Sequence, residues 1–195
     1  MQNLLKITLL FAVALTTLTS MKAQKKVQTF TVSRIIPHSA EAVWAVVGED
    51  YGAIANTHPA VLNSEYINGT LEAGEGAERV CHFNEKGTQY LKEKMVNYDP
   101  EHHTFVNQIF QAGKFPVDPE HTRAVYKVET IDAHSSRFVF DMQFRTKPAF
   151  MGGLLKGNFK KLIEDYALAI EHHLNTGEKV TKDNFKAIKK SYAKK

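Results

Sequence analysis

Cysteine is nearly absent: the 195-residue chain holds one, Cys81. A lone thiol closes no internal disulfide, so the fold must be held by its core even in an oxidising compartment. Buried among apolar residues, Cys81 is expected to act as a small hydrophobe. Long hydrophobic runs are also missing. The most apolar stretch, Ile7 to Leu18, has twelve residues. At ~1.5 Å each it reaches about 18 Å, well short of a hydrocarbon core of ~30 Å. It follows a cationic start with no acidic residue before position 41, and small and polar residues lead to Met21-Lys22-Ala23. Residues 1–23 therefore read as a secretory leader cleaved near Ala23, in preference to an uncleaved anchor. No cysteine follows that point to carry a lipid, so the expectation is a secreted or periplasmic protein.

Several chemistries lack their residues. The stretch Gly74-Glu-Gly76-Ala-Glu-Arg79 begins like a dinucleotide loop, but Arg79 stands where the third glycine belongs and a strand follows, not a helix. It reads as a strand connection, where glycines make positive φ cheap. No serine sits in a glycine-flanked elbow. The histidine pairs His102-His103 and His172-His173 are adjacent, whereas zinc ligands on one helix face stand four apart. No metal and no cofactor is expected.

Positive charge is confined to the end of the chain. The net charge is +4, from 25 basic and 21 acidic residues. Residues 178–195 carry seven lysines against Glu178 and Asp183, and residues 1–23 carry Lys6 and Lys22. Removing these leaves 16 basic against 19 acidic residues in 24–177, a net of −3. A basic face for nucleic acid is therefore excluded.

The remaining chain shows no break in composition, repeat or low-complexity segment, and one domain over 24–177 is expected. Val27 to Ile36 suits a strand ended by Pro37, and Ser39 caps a short helix that runs to Gly48. A second short helix is predicted over Asp50 to His58, before Pro59. Six more strands follow over 62–67, 77–84, 88–98, 104–111, 122–131 and 137–145, separated by turn chemistry such as Asn68-Gly69 and Asp99-Pro100. Seven strands joined mostly as hairpins predict an antiparallel sheet. Beyond Pro148, Phe159, Leu162, Ile163, Tyr166, Ala167, Ile170 and Leu174 make one helical stripe, closed by Gly177. The basic tail, 178–195, has two readings: a solvated, frayed end, or a helix capped by Thr181 whose Phe185, Ile188 and Tyr192 touch anionic lipid weakly.

This order resembles the START-like (SRPBCC) superfamily of polyketide cyclases/dehydrases, lipid-transfer domains and pollen-allergen proteins. The resemblance rests on Ile36-Pro-His-Ser-Ala-Glu-Ala-Val43-Trp44, the loop from Asn68 to Arg79, Glu93 followed by Tyr98-Asp99, and Pro148 before the last helix. It covers Val27 to Asn175. One departure is Asn56-Thr57-His58-Pro59, where relatives often carry tryptophan before the proline. The resemblance implies an α+β helix-grip fold, with two short helices after the first strand and a seven-stranded curved sheet wrapped around the long C-terminal helix. An apolar cavity would lie between them.

Strand alternation selects the side chains facing that cavity. Arg79, Cys81 and Phe83 share one face, as do Leu91, Glu93 and Met95; Phe105, Asn107 and Ile109; Ala124, Tyr126 and Val128; and Phe138, Phe140, Met142 and Phe144. The expected ligand-binding set is Trp44, Phe83, Leu91, Met95, Asn107, Tyr126, Phe138, Phe140, Met142, Phe159, Ile163 and Tyr166. Arg79 and Glu93 are either an ion pair holding strands in register, or a general base (Glu93) with a cation that stabilises an enolate or carboxylate (Arg79). His58 is either an acid/base at the cavity entrance or a loop histidine satisfied by backbone. Three functions follow. The first is binding, with possible transport, of a small hydrophobic ligand such as a lipid, polyketide-like or aromatic compound. The second is a cyclase/dehydratase using Glu93, Arg79 and His58. The third is an interaction module docked by the basic tail. Oligomeric state is left open.

Overall fold

The computed structural model describes residues 27–193. The segment read as a leader, 1–23, lies outside the described residues. Strand β1 (Gln28–Ile36) buries Phe30, Val32 and Ile36 and exposes Thr29, Thr31, Ser33 and Ile35. Pro37 ends it, and the Ser39 hydroxyl then accepts a hydrogen bond from the Ala42 amide at 3.3 Å to start helix α1 (Ala40–Trp44). The chain continues through a π turn (Ala45–Glu49) and a 3-10 segment (Tyr51–Asn56). It thereby crosses from one edge of the sheet to the other.

Six strands return across the sheet as hairpins: β2 (Asn63–Tyr66), β3 (Glu78–His82), β4 (Tyr90–Asp99), β5 (Thr104–Ala112), β6 (Arg123–Asp132) and β7 (Ser135–Phe144). The order is β1-β7-β6-β5-β4-β3-β2, antiparallel throughout. In this register Arg79 lies directly opposite Glu93, which sits beside a shift in the pairing of β4 with β5. An extra residue on one strand bends a sheet locally, so the shift favours a bend beside this charged pair. The loop before β3 is tied to β4 by the Gly76 amide, which donates to the Met95 carbonyl at 2.8 Å while Gly76 takes φ +82°. A side chain is disfavoured there, which accounts for the glycine.

Helix α2 (Gly152–Thr176) follows a 3-10 turn and lies along the concave face. Gly177 closes it in the left-handed conformation, its amide donating to the His173 carbonyl at 2.7 Å. The tail is an ordered helix, α3 (Lys182–Tyr192), begun by a capping box between Thr181 and Asn184. Its Phe185 and Ile188 are buried against Leu168, Ala169 and Val180, so these two side chains face α2 and not an outer surface. Among the described residues no helix is long and apolar enough to cross a membrane.

The segment between β5 and β6 folds back over the open end of the sheet. The Gly113 and Lys114 amides donate to the carbonyls of Tyr90 and Thr88, and the Asp118 amide to that of Arg145. A Cβ on Gly113 would stand 2.6 Å from the Thr88 carbonyl oxygen and 2.5 Å from the Tyr90 ring. Backbone cannot yield as a flexible side chain does, so Gly113→Ala is expected to destabilise by about 1–3 kcal/mol. A urea transition unchanged from wild type would show that the close approach is not required.

Candidate ligand cavity

The concave face of the sheet, α2 and two loops enclose a cavity of about 80 Å³. An engineered apolar cavity of ~150 Å³ holds one benzene, and drug-sized ligands occupy clefts of ~300 Å³ or more. Any larger guest must therefore displace side chains at a mouth.

The wall is apolar, with one polar cluster. Arg79 and Glu93 are 2% and 7% exposed, and Arg79 Nε donates to Glu93 Oε2 at 2.7 Å. Arg79 Nη1 donates to the Tyr51 carbonyl at 2.6 Å, and the guanidinium lies 3.9 Å from the centre of the Tyr51 ring. The Tyr51 hydroxyl in turn donates to Asn107 Oδ1 at 2.7 Å. Burial opposes the charge on Arg79, but the Glu93 carboxylate, with smaller contributions from Cys81, Tyr51 and Tyr126, offsets it and holds the guanidinium pKa well above its usual value. Burial and the Glu93 charge push the Cys81 thiol up, and Cys81 Sγ lies 3.5 Å from Glu93 Oε2. A thiol held protonated is a poor nucleophile.

His58 is buried in the same wall, stacked on Tyr166 with ring centres 4.9 Å apart. Its Nδ1 accepts from the Ala60 amide at 3.2 Å. A backbone amide only donates, so Nδ1 carries no proton and the ring is neutral, protonated at Nε2. Burial and the Arg79 charge lower its pKa to about 4.

Of the residues expected from alternation, Arg79, Glu93, Phe83, Leu91, Asn107, Tyr126, Phe140 and Met142 line the cavity, with Phe159 and Ile163 from α2. Trp44, Met95, Phe138 and Tyr166 do not. Trp44 packs on Tyr98, His103 and Phe105, while Met95 and Phe138 are wholly buried core. Tyr166 is buried, stacked on His58 and edge-on to Phe138. The inward sets omitted Phe30 on β1, Arg123 on β6 and Leu162 on α2, and also Ile54, Val61, Phe115 and Val117 on segments outside the periodic strands. Phe115 closes one end, its ring 4.7 Å from that of Phe83 and 6.1 Å from that of Phe159. The apolar pair flanking Pro116 in a loop was the available signal.

One cluster outside the cavity has the residue types for a metal. Asp118, Glu120 and His121 bring ligand atoms within 4.8 Å of one another. However, Asp118 is paired with Arg145 and, at 3.3 Å, with Lys147, and these two positive charges oppose a cation at the same carboxylate.

A curved antiparallel sheet gripping a long terminal helix over an apolar cavity defines the helix-grip class. Residues 27–171 match the family model described as polyketide cyclase / dehydrase and lipid transport, and the chain belongs to that family. A comparison with curated proteins finds no sequence match. Among solved structures, the chain is similar to the Zhui aromatase/cyclase from Streptomyces sp. R1128, with 15% identity, TM-score 0.57, and coverage of 76% of this chain and 91% of that one. It is similar to norcoclaurine synthase from Thalictrum flavum in complex with dopamine and hydroxybenzaldehyde, at 18% identity, TM-score 0.54, and coverage of 77% and 88%. Ara h 8.0201 is similar at 21% identity and TM-score 0.60, over 77% of this chain and 99% of that one. At these identities the likeness concerns the fold alone.

Proposed function

We propose that the protein is exported and binds, and in that role carries, a small hydrophobic molecule in the cavity between sheet and α2. The observation that carries this reading is that the polar groups in the apolar wall already have partners inside the protein. Arg79 is held by Glu93 and the Tyr51 carbonyl, and His58 by the Ala60 amide. Such groups orient a guest without needing to exchange protons with it. An aromatic guest suits the ring-rich wall, and the norcoclaurine synthase complex holds two aromatic compounds on the same fold.

A cyclase or dehydratase role has one observation in its favour, the convergence of Arg79, Glu93 and His58 on a single cavity. It requires turnover by the wild type that Glu93→Gln abolishes.

Native mass spectrometry of protein taken from its own periplasm tests the binding reading. The expected spectrum has a mass lacking residues 1–23 and a second species heavier by one small molecule. A ligand at a hundred times its Kd should add about 2.7 kcal/mol to stability, visible as a rise in Tm. Protein that emerges without a guest, and whose Tm no lipid or aromatic compound raises, would sink the proposal.

A further inference from the structure

Outside the cavity lies a second, larger hollow, a groove of about 1180 Å³. One side is formed by Pro59–Leu62 and by the turn after β3, and the other by α2, the linker and α3. Val61, Phe83 and Leu162 line both the groove and the inner cavity, so the two are separated only by these side chains. Whatever enters the cavity from this side passes through the groove.

The groove is cationic, although residues 24–177 carry a net negative charge. Lys86, Lys179, Lys182, Lys186 and Lys189 line it, against Glu85, Asp165 and Asp183. Asp165 pairs with Lys161 and Lys189, so neither it nor Lys189 is available. Lys86, Lys179, Lys182 and Lys186 remain, all exposed and without an ion-pair partner among the described residues. Lys182, Lys186 and Lys189 follow each other at spacings of four and three, which puts them in one row on α3. Phe185 and Ile188, packed on α2, hold that row over the groove. The family match ends at residue 171, so α3, with Lys182 and Lys186, lies outside the matched region.

We infer that the native guest is an amphiphile with an anionic head, its apolar part passing between Val61, Phe83 and Leu162 into the cavity and its head resting on Lys182 and Lys186. The inference rests on the binding role proposed above. An apolar chamber divided from a lysine-lined groove by three side chains matches a molecule with one greasy and one charged end. Lysines are mobile point charges, so the head is a carboxylate or a phosphate without a fixed geometry. A nucleic acid suits the site less well, because Glu85 and Asp183 interrupt the four free lysines.

Octanoate, octyl phosphate and 1-octanol, titrated into the full mature chain by calorimetry at pH 7, separate the possibilities. The two anions should bind roughly three- to tenfold more tightly than the alcohol, the range that two exposed ion pairs supply. Lys182→Gln/Lys186→Gln should erase that preference without changing octanol affinity or Tm, whereas Lys190→Gln, on a residue that does not line the groove, should preserve it. Salt at 0.5 M should also weaken it. Whichever anion binds more tightly identifies the head group. Equal binding of all three compounds overturns the inference and leaves the cavity reading intact, as does a preference that survives the double substitution. Binding by none of the three overturns it as well, and the cavity reading then stands only if another compound raises Tm.

Discussion

Arg79→Met should destabilise the protein by about 3–5 kcal/mol, the amount expected when one partner of a buried ion pair is removed. Arg79 is 2% exposed and lies opposite Glu93 in the β3–β4 register, so its loss leaves a carboxylate beneath the sheet with only the Cys81 thiol beside it. The Tyr51 carbonyl also loses the donor it now has at 2.6 Å. Methionine fills much of the space, so the penalty comes from charge and not from a void. The double variant Arg79→Met/Glu93→Leu removes both charges and should return to within about 1–2 kcal/mol of wild type, since apolar replacement of a whole buried pair is often neutral. Urea transitions of wild type, Arg79→Met, Glu93→Leu and the double variant give the coupling directly. If the double variant is as unstable as the single one, the two charges do not compensate each other and the pair is not what holds this corner. If it regains stability but loses ligand, the pair reads the guest as well as joining the strands.

The periodicities that predicted the sheet also predicted this pair. Alternation placed Arg79 and Glu93 on one face, and the hairpin between their strands made them neighbours. The seven strands, the two short helical turns and the long helix were legible for the same reason: each has a period and a stop signal, such as Pro37, Asn68-Gly69 or Gly177. Position along the sheet was not legible. Phe138, Phe140 and Met142 share a face, yet Phe138 packs on Tyr126 and Tyr166 while the other two border the cavity. Alternation gives the face of a residue, and the path of α2 across the sheet decides which part of that face stays uncovered. Phe115 and Val117 lie in a segment without period, held by backbone hydrogen bonds that leave no mark in the sequence. Thr181 signalled the tail helix, but its burial against Leu168 and Ala169 depends on where α2 turns those residues.

Below neutral pH the protein should lose stability through His58. Burial, reinforced by the charge on Arg79, lowers its folded-state pKa to about 4, whereas an unfolded histidine titrates near 6.5. Between those values the unfolded chain binds a proton that the folded chain does not, so acid favours unfolding. The contribution is fully present above about pH 6.5, and about 3 kcal/mol of it has gone by pH 4 at ~1.4 kcal/mol per pKa unit. His58→Asn keeps an acceptor in reach of the Ala60 amide and removes the titrating group. Measured by urea unfolding at pH 7 and 4.5, wild type should lose about 2–3 kcal/mol more than this variant, other carboxylates contributing equally to both. Equal losses would mean that His58 is hydrated and protonates freely in the folded state. A bound guest that covers the imidazole should widen the difference, because it lowers the affinity of the folded protein for the proton still further. A cyclase role at neutral pH would then have to use His58 as a neutral donor through Nε2–H, since an imidazole with a pKa of about 4 is a weak base and is scarcely present as the acid.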